Sequence, residues 1–465
     1  AQRIVRPHTT RPKAPPASGD SVLRLVRRIT NGVTEEEMAR AKSLGFRGYL
    51  EYQLRYTAIN DSEVENIVAQ RYPALAQDGL GLYQQDQNVL MNQLSEATMY
   101  RAAFSKRQLY ERMVHFWTDH FTIYFPKVGY LKVLDDREVI RRHALGKFSD
   151  MLRASAHSPA MLEYLDNTRS RGRNVNQNYA RELMELHTLG VDGGYTQTDV
   201  EEVTRCLTGW TIQGGNLRGQ FRFDPSGHDF TEKTVLGTVI PAMPTSPGAA
   251  GVQDGEKVLD LLLAHPSTAN FISFKMIRWL LQYDPPPALL TKVAATFTRT
   301  GGDIPSMIRD IVTAANLEAA PAKYRQPYQL VVAALRATRP TVTSLATIAG
   351  RELRVLGQSL FQWEDPDGYP DYVDWWAGLI LQRWNFCSFL TSQTAGNTPV
   401  DVTALMLVNT PVAITEAIGK RAFAGEMPAD LKQQITTYLS AVPVTANRVR
   451  EAFALALSSS SFQWF

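Results

Sequence analysis

At 465 residues the chain is long enough for one large domain or two, and its 44% hydrophobic and 20% charged residues are those of a folded globular protein. A formal charge of +3 is close to neutral on that length, which argues against a nucleic-acid binder, since such proteins concentrate positive charge on one face. No apolar run approaches the roughly 20 residues of a membrane-spanning helix; ALLTKVAATF and QLVVAALRA are broken by polar residues.

Residues 1–20, AQRIVRPHTTRPKAPPASGD, are basic and proline-rich with almost no large apolar side chains, and read as a flexible leader. The Ala-Gln start is of the kind a signal peptidase leaves, so the expectation is an exported protein whose signal peptide ended before Ala1. Helical periodicity then takes over. EEEMARAKSLGFRGYLEYQLRY follows Thr34, a suitable N-cap, with glutamates in its first turn. RQLYERMVHFWTDHFTIYF is aromatic-rich and reads as a buried helix. DREVIRRHAL and SDMLRASAHSPAMLEYLDN read as short helices. NYARELMELHTLG, residues 178–190, reads as an amphipathic helix. In TDVEEVTRCLTGW, Thr198-x-x-Glu201 has a capping-box pattern and Gly209 can end the helix.

From Trp210 the pattern changes. Two extended runs around GGNLRG predict a small hairpin, and PAMPTSPGAAG is a loop. Helices resume in GEKVLDLLLAHPSTANFISFKMIRWLL, stop at DPPP and restart in PALLTKVAATFTRTG. QWEDPDGYPDYVDWW interrupts the remainder. The expected fold is mainly α: residues 21–465 form one compact multi-helix domain with an irregular insertion around residues 210–255. The two cysteines, Cys206 and Cys387, lie far apart without metal-knuckle or redox spacing; one disulfide or two buried thiols both remain open.

NQNYARELMELHTLGV followed by GGYTQTDVEEVTRCLTGW closely resembles the signature of the bacterial family catalogued as domain of unknown function 1800. HFWTDHF, GHDFTEKTVLG, HPSTANFISFKMIR and LGQSLFQWEDPDGYPD resemble further blocks of that family, so the likeness covers nearly all of the chain after the leader. It implies a largely helical, exported protein. It also implies a neighbour, and so a candidate partner, in the exported family called domain of unknown function 1501. Two departures stand out. The usual Asn-Glu-Asn reads Asn176-Gln177-Asn178, and the usual Ser-Pro-Glu-Phe-Gln reads Ser459-Ser460-Ser461-Phe462-Gln463.

The residues themselves offer several sites. On a regular helix Asn178, Glu182 and Glu185 form one stripe, with Arg181 placed to pair with Glu185 and His187 beside the apolar side. Glu182, Glu185, Arg181 and His187 are therefore the candidate catalytic set. Close carboxylates can share a proton or hold a metal. In HFWTDHF, His115 and Asp119 share a face, whereas His120 is turned away, so a metal centre would need several helices. The candidate metal ligands are His115, His120 and His228 together with Glu182 and Glu185, and the candidate cofactor is a divalent metal. Asn178, Trp210, Asp229, Lys233, Trp375 and Trp376 are candidate binding residues. The aromatic-acidic loop containing Trp375 and Trp376 could stack sugar rings, or simply pack on the core.

Two functional readings follow. One is an exported enzyme with a His/Glu polar centre, a hydrolase acting on an extracellular polymer such as a polysaccharide. The other is a non-catalytic cell-surface binding or assembly protein whose polar cluster is a structural network. What separates them is access: an enzyme needs the carboxylates and histidines to line an open, wet pocket.

Overall fold

The computed structural model describes residues 14, 18–172, 174–245, 249–408 and 410–465. Most of the stretch read as a leader lies outside the described residues. Along the rest, helix follows helix, with two small two-stranded antiparallel sheets. Among the described residues no helix is long and apolar enough to cross a membrane.

The helix Glu35–Leu54 begins where its sequence directs: Thr34 Oγ1 accepts the Glu37 N–H at 3.2 Å, and Glu35, Glu36 and Glu37 sit at the positive end of the helix dipole. The helix Gln197–Leu207 also carries a capping box, but two residues earlier than the spacing predicts. Thr196 and Asp199 form it, because Asp199 Oδ2 can accept both the Thr196 N–H, at 2.8 Å, and its hydroxyl. The sequence GEKVLDLLLAHPSTANFISFKMIRWLL divides into Val252–Ala264 and Pro266–Leu280. Pro266 ends the first and supplies the first turn of the second, where its missing N–H costs nothing.

Two large hydrophobic cores organise these helices. The first is built mainly from residues 23–320 and holds Trp117, Phe148, Trp210 and Met276. The second joins residues 64–133 to residues 328–462 and holds Leu90, Val331, Phe386 and Phe453. The helix Pro327–Thr338, PYQLVVAALRAT, is buried at every position. It is apolar on all sides, as a central helix must be. Its one cation, Arg336, reaches the carbonyls of Gly32 and Ala103, each at 2.8 Å, and so ties the two cores through the backbone. Gly32 permits that approach: a Cβ there would meet the Ala333 backbone at 3.0 Å.

The predicted hairpin forms from Trp210–Ile212 and Phe221–Phe223, with Trp210 opposite Phe223. A second hairpin, Lys233–Val235 with Thr238–Ile240, was not foreseen. Its two-residue turn places Leu236 and Gly237 both at positive φ, 48° and 75°. Cys206 and Cys387 are free, buried thiols in different cores.

Candidate active site

The site begins at the end of the buried helix Gln108–His120. His115 and Asp119 do share a face, with His115 Nε2 3.5 Å from Asp119 Oδ2. The His115 ring is held edge-on between Trp279 and Tyr328, with centroids 5.1 and 4.6 Å away. Desolvation there pulls its pKa down to about 3, so the ring is neutral. Asp119 stands in the last turn, where the negative end of the helix dipole disfavours a carboxylate.

Two other segments close around it. On Pro266–Leu280, PSTANFISFKMIRWL, Lys275 and Arg278 are the only cations and lie one turn apart on the same face. The second segment is the loop DPDGYPD, residues 365–371, within the aromatic-acidic stretch. Gly368 has φ +77°, and a Cβ on it would sit 2.2 Å from the Asp119 carbonyl oxygen. A glycine is what lets this loop lie against the helix end. Asp371 anchors the loop: its Oδ2 accepts from Lys323 Nζ at 2.8 Å and its carbonyl from Arg278 Nη2 at 2.8 Å. Trp363 Nε1 donates to Asp367 Oδ1 at 2.9 Å, and Tyr164 donates its hydroxyl to the Glu364 carbonyl at 2.5 Å.

Together these segments line a cleft of about 330 Å³ walled by Asp119, Lys275, Arg278, Asp367, Phe271 and Tyr372, among others. Asp119 is 21% exposed. Its carboxyl is pushed up to about 8, first by burial and then by the Asp371 charge; Lys275, Lys132 and the Tyr369 N–H oppose the rise without cancelling it. Burial pulls Lys275 down to about 8 against the attraction of Asp119 and Asp367. The cleft therefore presents a carboxylic acid that keeps its proton at neutral pH, beside an amine near its own titration point.

The stretch 178–190 borders this region. It is α-helical over Asn178–Glu182 and then widens into a π-helical segment, Leu183–Thr188. Arg181 pairs with Glu185 at 3.3 Å as its spacing requires. Glu182 is half-buried, and burial, the neighbouring Glu185 and Asp367 raise its pKa. Glu182 and Glu185 thus keep access to water, and Asn178 is exposed. His187 does not: it is 1% exposed, packed on Phe121, and pulled down to about 3 by burial. The π-helical turn carries it inward, which removes it from the candidate catalytic set.

The proposed metal ligands do not converge. His120 faces His187, 6.2 Å between ring centroids, and donates Nε2–H to the His187 carbonyl at 3.2 Å within an aromatic core. His115 lies in its own aromatic sandwich. His228 belongs elsewhere: Nδ1 donates to the Thr208 carbonyl at 2.7 Å, and Nε2 lies 3.2 Å from Asp254 Oδ2. Among the described residues no group of three or more His, Cys, Asp or Glu is placed to hold a metal ion. The physical reason is that each ring is desolvated by aromatic neighbours rather than aimed at a shared point.

Several proposed binding residues are also committed internally. Lys233 is 1% exposed and donates to Asp254 Oδ2 at 2.7 Å and to the carbonyls of Asp229 and Thr231. Asp229 accepts from Arg205 at 2.8 Å. Trp210 is fully buried against His157, and Trp376 is 2% exposed with its N–H on the Pro370 carbonyl at 2.7 Å. Trp375 is half-buried near Trp363. The residues that sequence reasoning passed over are Asp119 as the central carboxyl, Lys275, Arg278, Asp367 and Asp371. The one available signal was the pair of cations interrupting an otherwise apolar helix.

A family model described as "Protein of unknown function (DUF1800)" matches residues 24–464. No curated protein and no solved structure matches the chain.

Proposed function

We propose that the chain, which belongs to the DUF1800 family, is a hydrolase that works by acid–base catalysis in the Asp119 cleft on a hydroxyl-rich polymer such as a polysaccharide. The observation that carries this reading is the placement of the Asp119 carboxyl, 21% exposed on the wall of an open cleft, where burial favours the protonated form and pushes its pKa up to about 8. A general acid is most effective when its pKa lies near the working pH. Asp119 gives its proton to the leaving oxygen as the C–O bond breaks. A water molecule adds to the carbon and passes its proton to Asp367, which the Trp363 N–H orients. His115 is a positioning residue that meets Asp119 from behind. Lys275 and Arg278 supply donors for hydroxyl oxygens, and Tyr372 and Phe271 offer aromatic faces. Glu182, half-buried and raised partly by the Asp367 charge, adds a second carboxyl with a raised pKa nearby. Action outside the cytoplasm is in keeping with the family resemblance, and a partner from the DUF1501 family fits both this reading and the non-catalytic one.

A screen for reducing-end release from polysaccharides, with Asp119→Asn as the control, tests this. Activity that the substitution abolishes supports the reading. Activity that survives it places the chemistry elsewhere. No release from any polymer, together with an Asp119 carboxyl that titrates near 4 by infrared spectroscopy, returns the protein to the non-catalytic binding reading.

A further inference from the structure

A second cavity is larger than the Asp119 cleft. It has a volume of about 680 Å³ and lies where the helix Ser21–Ile29, the segment 422–430 and the last residues of the chain meet. Four guanidinium groups line it: Arg24, Arg27, Arg28 and Arg325. Among the described residues two side-chain carboxylates line it, Glu426 and Asp430. Glu426 is 3.6 Å from Arg27 and accepts from the Ser18 hydroxyl at 2.8 Å, so it is largely engaged at the mouth.

The inner cations are worse matched. Arg28 and Arg325 are each 5% exposed. Among the described residues the hydrogen bonds of Arg28 go to the carbonyls of Leu281 and Pro321, the latter at 3.1 Å, and the Phe465 ring lies 5.5 Å away. Arg325 donates Nε–H to the Phe462 carbonyl at 3.0 Å, and its Nη1 has no hydrogen-bond partner among the described residues. Arg112, fully buried just behind, adds a third inner cation, and Arg112 and Arg325 both lie 5.0 Å from the Phe465 ring centroid. Burial and neighbouring arginines, Arg112 and Arg27 for Arg325 and Arg28 for Arg112, pull both down to about 9. Carbonyl dipoles and aromatic faces soften such a cluster, but among the described residues no side-chain carboxylate pairs with Arg28 or Arg325, and buried charge without a paired counter-charge is costly. Residues 1–17 carry Arg3, Arg6, Arg11 and Lys13 and no acidic side chain, so they cannot supply the missing anion. The remaining wall is apolar, with Val33, Leu317, Phe423, Met427 and Phe462.

We infer that this cavity binds an amphipathic anion, whose carboxylate or phosphate head pairs with Arg28 and Arg325 while its hydrocarbon tail lies along Val33, Leu317, Phe423 and Met427. Guanidinium forks match both head groups, and the volume is that of an ordinary small-ligand site. The site is separate from the Asp119 cleft and does not depend on the chemistry proposed there.

Calorimetric titration of the whole protein with decanoate, decyl phosphate and decanol, each below its aggregation limit, tests this. At least one anion should bind one-to-one, and about tenfold or more tighter than the uncharged alcohol, since a charge-assisted hydrogen bond accounts for at least that ratio. Which anion binds identifies the head group. Arg325→Gln should weaken the preferred anion by about tenfold or more and leave decanol unchanged. Arg24→Gln, at a half-exposed position where folding is not at risk, should weaken it by about threefold. Equal binding of alcohol and anions, the absence of saturable binding by any of the three, or wild-type affinity in both folded variants would overturn the assignment.

Discussion

Two clusters in this molecule draw on the same residue types. His228, Asp254 and Lys233 have side chains no more than 1% exposed, with Asp254 Oδ2 2.7 Å from the lysine and 3.2 Å from the imidazole. His115, Asp119 and Lys275 repeat the trio, but Asp119 is 21% exposed on an open wall. In the sealed cluster burial alone would lift the Asp254 carboxyl, and direct bonds from His228 and Lys233 hold it below the ordinary range. In the cleft burial wins, because Lys275 acts on Asp119 through space rather than through a bond. A carboxylate gripped by its cation is architecture. One whose cation stands off keeps a labile proton that a substrate can reach.

Reciprocal substitutions give the largest test of that contrast. Asp254→Asn should lower the unfolding free energy by about 3–5 kcal/mol, since it leaves Lys233 buried without its counter-charge. Urea denaturation reads this directly. Asp119→Asn should instead raise stability at neutral pH, because the native state no longer has to hold a proton that the unfolded chain releases, while lowering hydrolysis by roughly 10²–10⁴-fold. The rate of the wild type should also fall as pH rises through about 8, where Asp119 gives up its proton. If the two variants exchanged these effects, the assignment of cleft and scaffold would be reversed.

The buried histidines make the next largest effect. His115 and His187 are pulled down to about 3 and His120 well below its usual range, all chiefly by burial. Below the unfolded value near 6.5 the unfolded chain therefore holds three protons that the native one does not. Asp119 works in the other direction: raised to about 8, it holds one proton in the native state that the unfolded chain has released. The net difference is about two protons, so between roughly pH 6 and pH 5 stability should fall by up to about 3 kcal/mol per unit of acidification. Glu111 and Glu182, also raised, trim that slope. Denaturant midpoints measured across this range check it, and a flat profile would mean that the rings stay charged in the fold.

Gly368 ties the cleft to its roof. Alanine there would hold a left-handed conformation and meet the Asp119 carbonyl at 2.2 Å. The expected cost is about 2 kcal/mol, and the loop, not the scaffold, should absorb it. Hydrogen exchange should therefore quicken in residues 363–372 and stay unchanged around Asp254.

Much of this architecture was legible from residue order alone. Thr34 capped the helix that follows it, the runs around GGNLRG paired, and the i,i+4 spacing put His115 beside Asp119. The second hairpin was hidden because its turn uses Leu236 at positive φ, where Asn or Gly is the usual signal. The capping box slipped by two residues because Thr196 and Thr198 offer the same chemistry and Asp199 decides between them. The site was harder. Spacing within one helix places side chains on a face, but nothing local to FISFKMIR or DPDGYPD says that they meet at Asp119. The histidines misled for a related reason: a ring enclosed by Trp279 and Tyr328 and a ring bonded to Asp254 look alike in sequence.

The smallest predicted effect bears on the stretch that borders the cleft. Arg181 and Glu185 are 37% and 23% exposed and pair at 3.3 Å across the junction between the α-helical and π-helical segments. Arg181 also donates to Gln197 Oε1 at 2.8 Å. Solvent screens such a pair, so Arg181→Met should cost no more than about 0.5 kcal/mol. The same change removes the nearest positive charge opposing the rise at Glu182, so that carboxyl should titrate still higher in the variant. A stability loss above about 1 kcal/mol would instead show that the stretch belongs with the sealed network. A small loss with an upward shift at Glu182 would place it on the open side, where charge is adjusted for a ligand rather than spent on holding the fold.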